Sequence, residues 1–241
     1  MWQNSDGNLF IVDTAIVRNK SRPASLAIFL LRHWFALFSV LYGVFVFLPL
    51  LAPVLMEFGL GRWGRVIYYA YSFVCHQLPQ RSFFLFGAEP TYSLVTIQAA
   101  WRNTTDPMIL RQFIGNAEMG WKVAWSDRMF SMYGSVLLFA WIWYPLRQRV
   151  KPLPLWGLVL FALPMFLDGG SHLVSDLAGI GQGFRDANVW LAQLTQNALP
   201  ESFYAGDALG SLNSWMRLIT GGLFGLGLVW FAFPEIEKTV S

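Results

Sequence analysis

The chain's only cysteine stands beside one of its three histidines in "YSFVCHQLPQRSFFLFG", from Tyr71 to Gly87. A thiol and an imidazole can act as nucleophile and base, or as two metal ligands, if they converge. Adjacent helical residues point about 100° apart, so Cys75 and His76 do not readily serve one ion or act on each other. The competing reading is an elbow: a helix ends at Cys75-His76-Gln77, Pro79 turns the chain, and Arg81 anchors it among headgroups or against an acidic partner. A second cluster, "DGGSHLVSD", spaces Asp168, His172 and Asp176 four residues apart. On a continuous helix these would line one face, as ligands of a zinc-type ion with His76 a further candidate. Gly169-Gly170 directly after an apolar run argues instead for a helix C-terminus, with Asp168 in the last turn and His172 in the loop.

Other ionisable residues sit where apolar runs begin. "SDRMFSMYG" carries Arg128, and "SLNSWMRLITGG" carries Asn213 and Arg217 at helical spacing. Ionisable groups near lipid need partners, and Asp168 ends a neighbouring run on the same side. The economical expectation is a pair between Asp168 and Arg128 or Arg217. The alternative is that each arginine snorkels to water on its own. His33, between Arg32 and Trp34, could ligate a haem or chlorophyll-type pigment, although such groups usually need a histidine deeper in a bundle.

These residues must be positioned by a membrane protein. Hydrophobic residues make up 55% of the 241 and charged ones only 13%, a profile foreign to water-soluble domains. The net charge is only +3 with scattered basic residues, which excludes nucleic acid as an expected partner. One cysteine excludes an internal disulfide framework and a Cys-rich zinc site. The N-terminus carries acidic residues early and lacks a cleavage site after a short apolar core, so it reads as retained.

The run from Trp34 to Met56 holds no charge and is long enough to cross a hydrocarbon core of about 30 Å. Shorter runs give three more spans, at about 129–146, 153–168 and 215–234. The expected fold is therefore all-α, a single membrane domain of four transmembrane helices. "RQRVKP" between the second and third spans, with Arg18, Lys20, Arg22 and Arg32 before the first, places both termini in the cytoplasm by the positive-inside rule and suits a cell inner (plasma) membrane. Two long exoplasmic loops, 57–127 and 169–214, follow from that topology. Both are rich in Trp, Phe and Leu and are expected to fold. "GRVIYYAYSFVCHQ" suits an interfacial helix ending near Gln77, while "TDPMILRQFIGNAE" and "DANVWLAQLTQNAL" read as short amphipathic helices. In the last span Gly221 and Gly225 stand four apart, the spacing of close helix packing.

Four blocks together resemble an uncharacterised family of predicted bacterial integral-membrane proteins. They are Cys75 to Gly87, Arg128 to Gly134, Pro164 to Gly169 and Ser211 to Gly225, in the family's order. The resemblance covers about Leu48 to Phe231 and implies a polytopic membrane fold with no activity to carry over. It also implies two departures. Family members have a Cys-x-Arg-Cys block where this chain has Ser126 and Met129 around Arg128, and His172 stands in place of a glutamine. Both loops look longer than the family's by roughly thirty residues each.

Two functions follow as expectations. One is a non-catalytic accessory subunit of a larger membrane complex, respiratory or photosynthetic complexes being plausible hosts, which docks through aromatic-rich loops onto other subunits with lipid around the spans. The other is a metal-dependent hydrolase or thiol enzyme centred on Cys75, His76, Asp168 and His172. A single thiol cannot complete an intramolecular dithiol cycle, which counts against redox chemistry. A transporter lacks inverted repeats and a charge near mid-span.

Overall fold

The computed structural model describes residues 21–240, with side chains from Leu26 onward. The N-terminal stretch read as retained, with Arg18 and Lys20, lies outside them. In chain order the elements are α1 (Ser21–Arg32), α2 (Trp34–Glu57), α3 (Gly61–Tyr71), β1 (Ser82–Leu85), α4 (Leu94–Ala100), α5 (Pro107–Leu110), β2 (Gly115–Asn116) and β3 (Gly120–Ser126). Then come α6 (Asp127–Leu146), α7 (Leu155–Asp176), α8 (Phe184–Ala187), α9 (Val189–Leu194), α10 (Glu201–Tyr204) and α11 (Leu212–Val240). The fold is mostly helical, and α2, α6, α7 and α11 are each long and apolar enough to cross a membrane.

Helix α11 lies against both α6 and α7, while α2 flanks α6. The glycines make the close approach possible. A Cβ on Gly225 would stand 2.9 Å from the Val136 backbone nitrogen, and one on Gly221 3.1 Å from that of Met132. At one end of the bundle the Glu237 carboxylate accepts from Trp34 Nε1 at 3.0 Å and from Arg147 at 3.2 Å. The start of α2, the α6–α7 turn and the end of α11 therefore share that end, and the two long connections share the other.

The first connection is more elaborate than a run of short helices. A three-stranded antiparallel sheet of order β1-β3-β2 pairs Ser82 with Ser126 and Phe84 with Lys122. Sequence patterning missed it because β3 is buried on both faces and shows no alternation, and β1 is only four residues long. A helix is present where an interfacial one is expected, but it stops at Tyr71, and the segment around Met108 makes one turn, Pro107–Leu110. In the second connection, the helix expected from Asp186 is broken at Asn188, which adopts a left-handed conformation with φ of 44° between α8 and α9.

The expectation that Gly169-Gly170 ends the third span is wrong: α7 continues to Asp176, so the second connection is 177–211. Glycine lowers helix propensity by about 1 kcal/mol. Here that cost is overridden by tertiary ion pairs of Asp168, and Gly169 faces the Arg128 guanidinium, which a Cβ would meet at 3.4 Å.

Two prolines inside α2 explain why the first connection folds back along it. Pro49 has no N–H, so the Phe45 carbonyl four residues earlier loses its helical partner. An unpaired carbonyl is costly at membrane depth. Tyr71, the last residue of α3, supplies the missing donor, its hydroxyl donating to Phe45 O at 2.8 Å. One residue on, Trp125 Nε1 of β3 donates to Val46 O at 3.3 Å. The helix breaker thus becomes the docking point for both α3 and the sheet. Tyr71→Phe is expected to cost about 1–3 kcal/mol by orphaning that carbonyl. In a Pro49→Ala background, which restores the N–H, the same change should be nearly silent. Thermal midpoints of the four proteins in detergent measure the coupling, and additivity would refute it.

Candidate functional site

The CHQ stretch is an elbow whose residues go separate ways. Cys75 is buried, and its Sγ accepts backbone N–H groups from Gln77 and Ser126, each at 3.4 Å. Gln77 adopts φ of 55° and its amide donates to Tyr68 O at 2.8 Å, closing the end of α3. His76, unlike the buried thiol, is exposed and lines a cavity. Partial burial and then Arg81 and Arg111 hold its imidazole below the usual value, with Asp176 opposing.

Behind this turn lies Lys122, fully buried on the central strand. Its Nζ donates to Gln77 O and Arg111 O, both at 2.7 Å. Burial pushes this ammonium down to about 7, Cys75 pulling the other way and Arg111 adding to the fall. The folded state therefore prefers the neutral amine, and between about 7 and the ordinary 10.5 the unfolded chain holds the extra proton. Stability must rise with pH through that window. Thermal midpoints of the wild type should climb from pH 7 towards pH 10, whereas Lys122→Met should show no such climb even though it lowers the midpoint overall. A parallel rise in the variant would assign the effect elsewhere.

The cavity, about 280 Å³, sits at the long-connection end between α6, α7, α11 and the CHQ elbow. Around it run two branches of ion pairs. In the first, Asp168 is shared by Arg128 at 2.8 Å and Arg185 at 2.7 Å. Arg185 also reaches Ser171 and Asn213. In the second, Arg81 makes a two-pronged contact with Asp176 at 2.7 and 2.8 Å and donates to Asp207 at 2.8 Å. Asp207 in turn accepts from Arg217, which also grips Asp127, both at 2.8 Å. Burial alone would raise the Asp207 carboxyl, but Arg81 and Arg217 hold it well below the usual carboxylate range.

Of the residues singled out in the sequence, Arg81, Arg128, Asp168, Asn213 and Arg217 come together here. The pairing is with Arg128; Arg217 does not pair with Asp168, because Asp127 and Asp207 stand nearer. Arg81 is not an anchor among headgroups: its guanidinium is mostly buried against aspartates of its own chain. The continuous α7 does stack Asp168, His172 and Asp176 on successive turns, but the two carboxylates are turned to arginines. Among the described residues no three His, Cys, Asp or Glu side chains converge as metal ligands. His33 lies exposed between α1 and α2 at the opposite end, its Nδ1 donating to Phe29 O at 2.9 Å, outside the bundle interior.

Sequence reasoning missed Asp127, Arg185 and Asp207. Asp127 was open to discovery, since a carboxylate beside Arg128 at the start of an apolar run is as costly as the arginine. Arg185 and Asp207 lie in an irregular connection that has no periodicity to place them. Asp168→Asn removes the shared charge and leaves two mostly buried guanidinia short of a partner. A loss of about 3–5 kcal/mol is expected, read as a lower thermal midpoint in detergent; an unchanged midpoint would refute the sharing.

Residues 117–231 match a family described as "Predicted membrane protein (DUF2085)". The match takes in Arg128, Asp168, Arg185, Asp207 and Arg217 but begins after the Cys75–Gly87 block. An uncharacterized protein of Methanocaldococcus jannaschii is 27% identical over 123 residues, 50% of this chain and 54% of that protein. The chain thus spans about half the length of this curated relative, whose archaeal source shows the resemblance is not confined to bacteria. No solved structure matches. The chain is a membrane protein, similar over α6 to α11 to an uncharacterised family of predicted membrane proteins.

Proposed function

We propose that the protein is a non-catalytic subunit of a larger complex in the cell's inner membrane, with its termini in the cytoplasm and its two long connections on the exoplasmic side. The observation that carries this reading is apolar exposure outside the four long helices. Along the second connection Leu177 is 81% and Leu194 74% exposed, and Phe184, Val189 and Trp190 are more than half exposed. Exposed apolar side chains gathered on one segment outside the long helices mark an interaction surface. The connection that carries it is tied down at two points, Arg185 to α7 and Asp207 to α11. A surface fixed before binding loses less entropy on association. Few charges stand among these side chains, so the fitting occupant is an apolar, weakly charged face of a different membrane protein. The enzyme reading lacks comparable support, since the Cys75 thiol is an internal acceptor and the aspartates are neutralised by arginines.

Native mass measurement after purification from the source membrane in mild detergent tests the proposal. The wild type should run in a particle with at least one other protein at fixed stoichiometry. The Leu177→Asp/Leu194→Asp variant, with its thermal midpoint kept, should run free. A lone wild-type chain, or a particle made only of copies of it, would overturn the reading.

A further inference from the structure

Helix α3 carries an exposed apolar row on the side turned away from the bundle. Trp63 is 63% exposed, Tyr69 69% and Phe73, just past the helix end, 73%, with Val66 and Val74 also open. The other side, Gly64, Ile67, Tyr68 and Tyr71, is buried in the core shared with α2 and β3. From Val66 to Val74 the chain holds no charge, so neither side of its second half is charged. An amphipathic helix lying flat on a membrane divides polarity around its circumference. In α3 polarity falls along the axis instead. Exposed Arg62, Trp63 and Arg65 come first, Tyr69 with its polar tip follows, and Phe73 and Val74 come last.

Packing against α2 shows how deep this gradient runs. A Cβ on Gly64 would stand 3.1 Å from Ala52 O, and the Tyr71 hydroxyl donates to Phe45 O. Contacts in that order make α3 antiparallel to α2, so it descends beside a helix long enough to cross a membrane. Phe45 lies roughly 18 Å along α2 from Glu57, at about 1.5 Å per residue. Between those two levels α2 itself exposes Phe47 and Leu51, as a spanning helix does towards lipid.

The end of α3 is built for an environment without water. A helix that stops in hydrocarbon must have its last carbonyls met by protein, because lipid offers no donors. Tyr68 O accepts from the Gln77 amide at 2.8 Å and Tyr69 O from the Ser72 hydroxyl at 2.7 Å. Tyr71 O accepts from the Cys75 N–H at 3.0 Å, and Ser72 O from Arg111 at 2.9 Å. Gln77 donates from a left-handed conformation, φ of 55°, which is unfavourable for a residue with a side chain. A helix end in water would receive the same donor without that strain.

We propose that α3 is a re-entrant helix, which enters the leaflet on the long-connection side with its C-terminus deepest and presents Val66, Tyr69 and Phe73 to phospholipid acyl chains. Arg62 and Arg65 then stand at headgroup level, and the chain returns to the polar end through the CHQ elbow. The inference does not rest on the docking surface of the second connection, and it assigns the apolar face of α3 to lipid rather than to a protein partner.

Spin-label depth measurement on the full chain in dioleoyl phosphatidylcholine vesicles tests it. Arg62→Cys, Val66→Cys and Phe73→Cys are labelled one at a time in a Cys75→Ser background, with Val44→Cys on exposed α2 surface as the reference; thermal midpoints confirm folding. Collisions with oxygen, which concentrates in hydrocarbon, are compared with those of a water-soluble nickel chelate. Depth should increase from Arg62 through Val66 to Phe73, with Phe73 about 5–10 Å deeper than Val66 and within about 5 Å of Val44. Equal depth at Val66 and Phe73 would mean a helix lying flat and would overturn the proposal. So would preferential nickel access at Phe73, which places it in water, or exclusion of both reagents there, which means cover by protein.

Discussion

A charge carried to the edge of a hydrocarbon layer must be met by an opposite charge, and the long-connection end of this protein is organised by that constraint. Asp168 answers it by serving two arginines at once, one from α6 and one from the second connection. Asp207 does the same for Arg81 of the first connection and Arg217 of α11. Each shared carboxylate therefore ties a connection to a long helix, and the connections owe their placement to these ties as well as to apolar packing. Four arginines and four aspartates enter the network, so it is neutral as a whole. Removing any one member leaves a largely buried charge short of its partner.

A second constraint, the unpaired carbonyl, shapes the other half of that end. Pro49 would be a defect in an isolated spanning helix. With Tyr71 and Trp125 donating to carbonyls at that level, the defect instead fixes where α3 and β3 seat against α2. The first connection is thereby divided between two supports. Its aromatic part, Tyr68, Tyr71 and Trp125, packs on α2, and its following turn lines the cavity through His76, Leu78 and Arg81 beside α6 and α7. Lys122 joins the two, because its Nζ donates to the carbonyl of Gln77 while its own carbonyl accepts from the Tyr68 hydroxyl.

How much of this could be read from the sequence varied with the kind of signal. The long apolar runs gave four helices, since length without charge is nearly sufficient in a membrane protein. The Asp168 and Arg128 juxtaposition was legible because both stand where adjacent apolar runs meet polar chain. Gly169-Gly170 misled, since local propensity is a weak prior and the deciding contacts come from residues more than fifteen positions away, Arg128 and Arg185. The sheet was hidden for a different reason. Burial of β3 on both faces removes the alternation by which a strand is recognised, and its partner β1 lies more than thirty residues earlier. Arg185 and Asp207 have no local signature at all; only the folded connection brings them to α7 and α11.

Charge balance and hydrogen-bond balance are not the same condition. An arginine brings about five N–H donors, whereas a carboxylate offers about four acceptor positions. A network of equal numbers is thus neutral yet rich in donors. Much of the surplus is absorbed locally, by the Asp207 backbone carbonyl and by the side chains of Asn213 and Ser171. Among the described residues, the remainder is left unpaired at Arg128 Nη1. Opposite Arg128 the chain places Gly169, which has no side chain to offer, so that nitrogen stays buried within a network that is balanced in charge but not in donors.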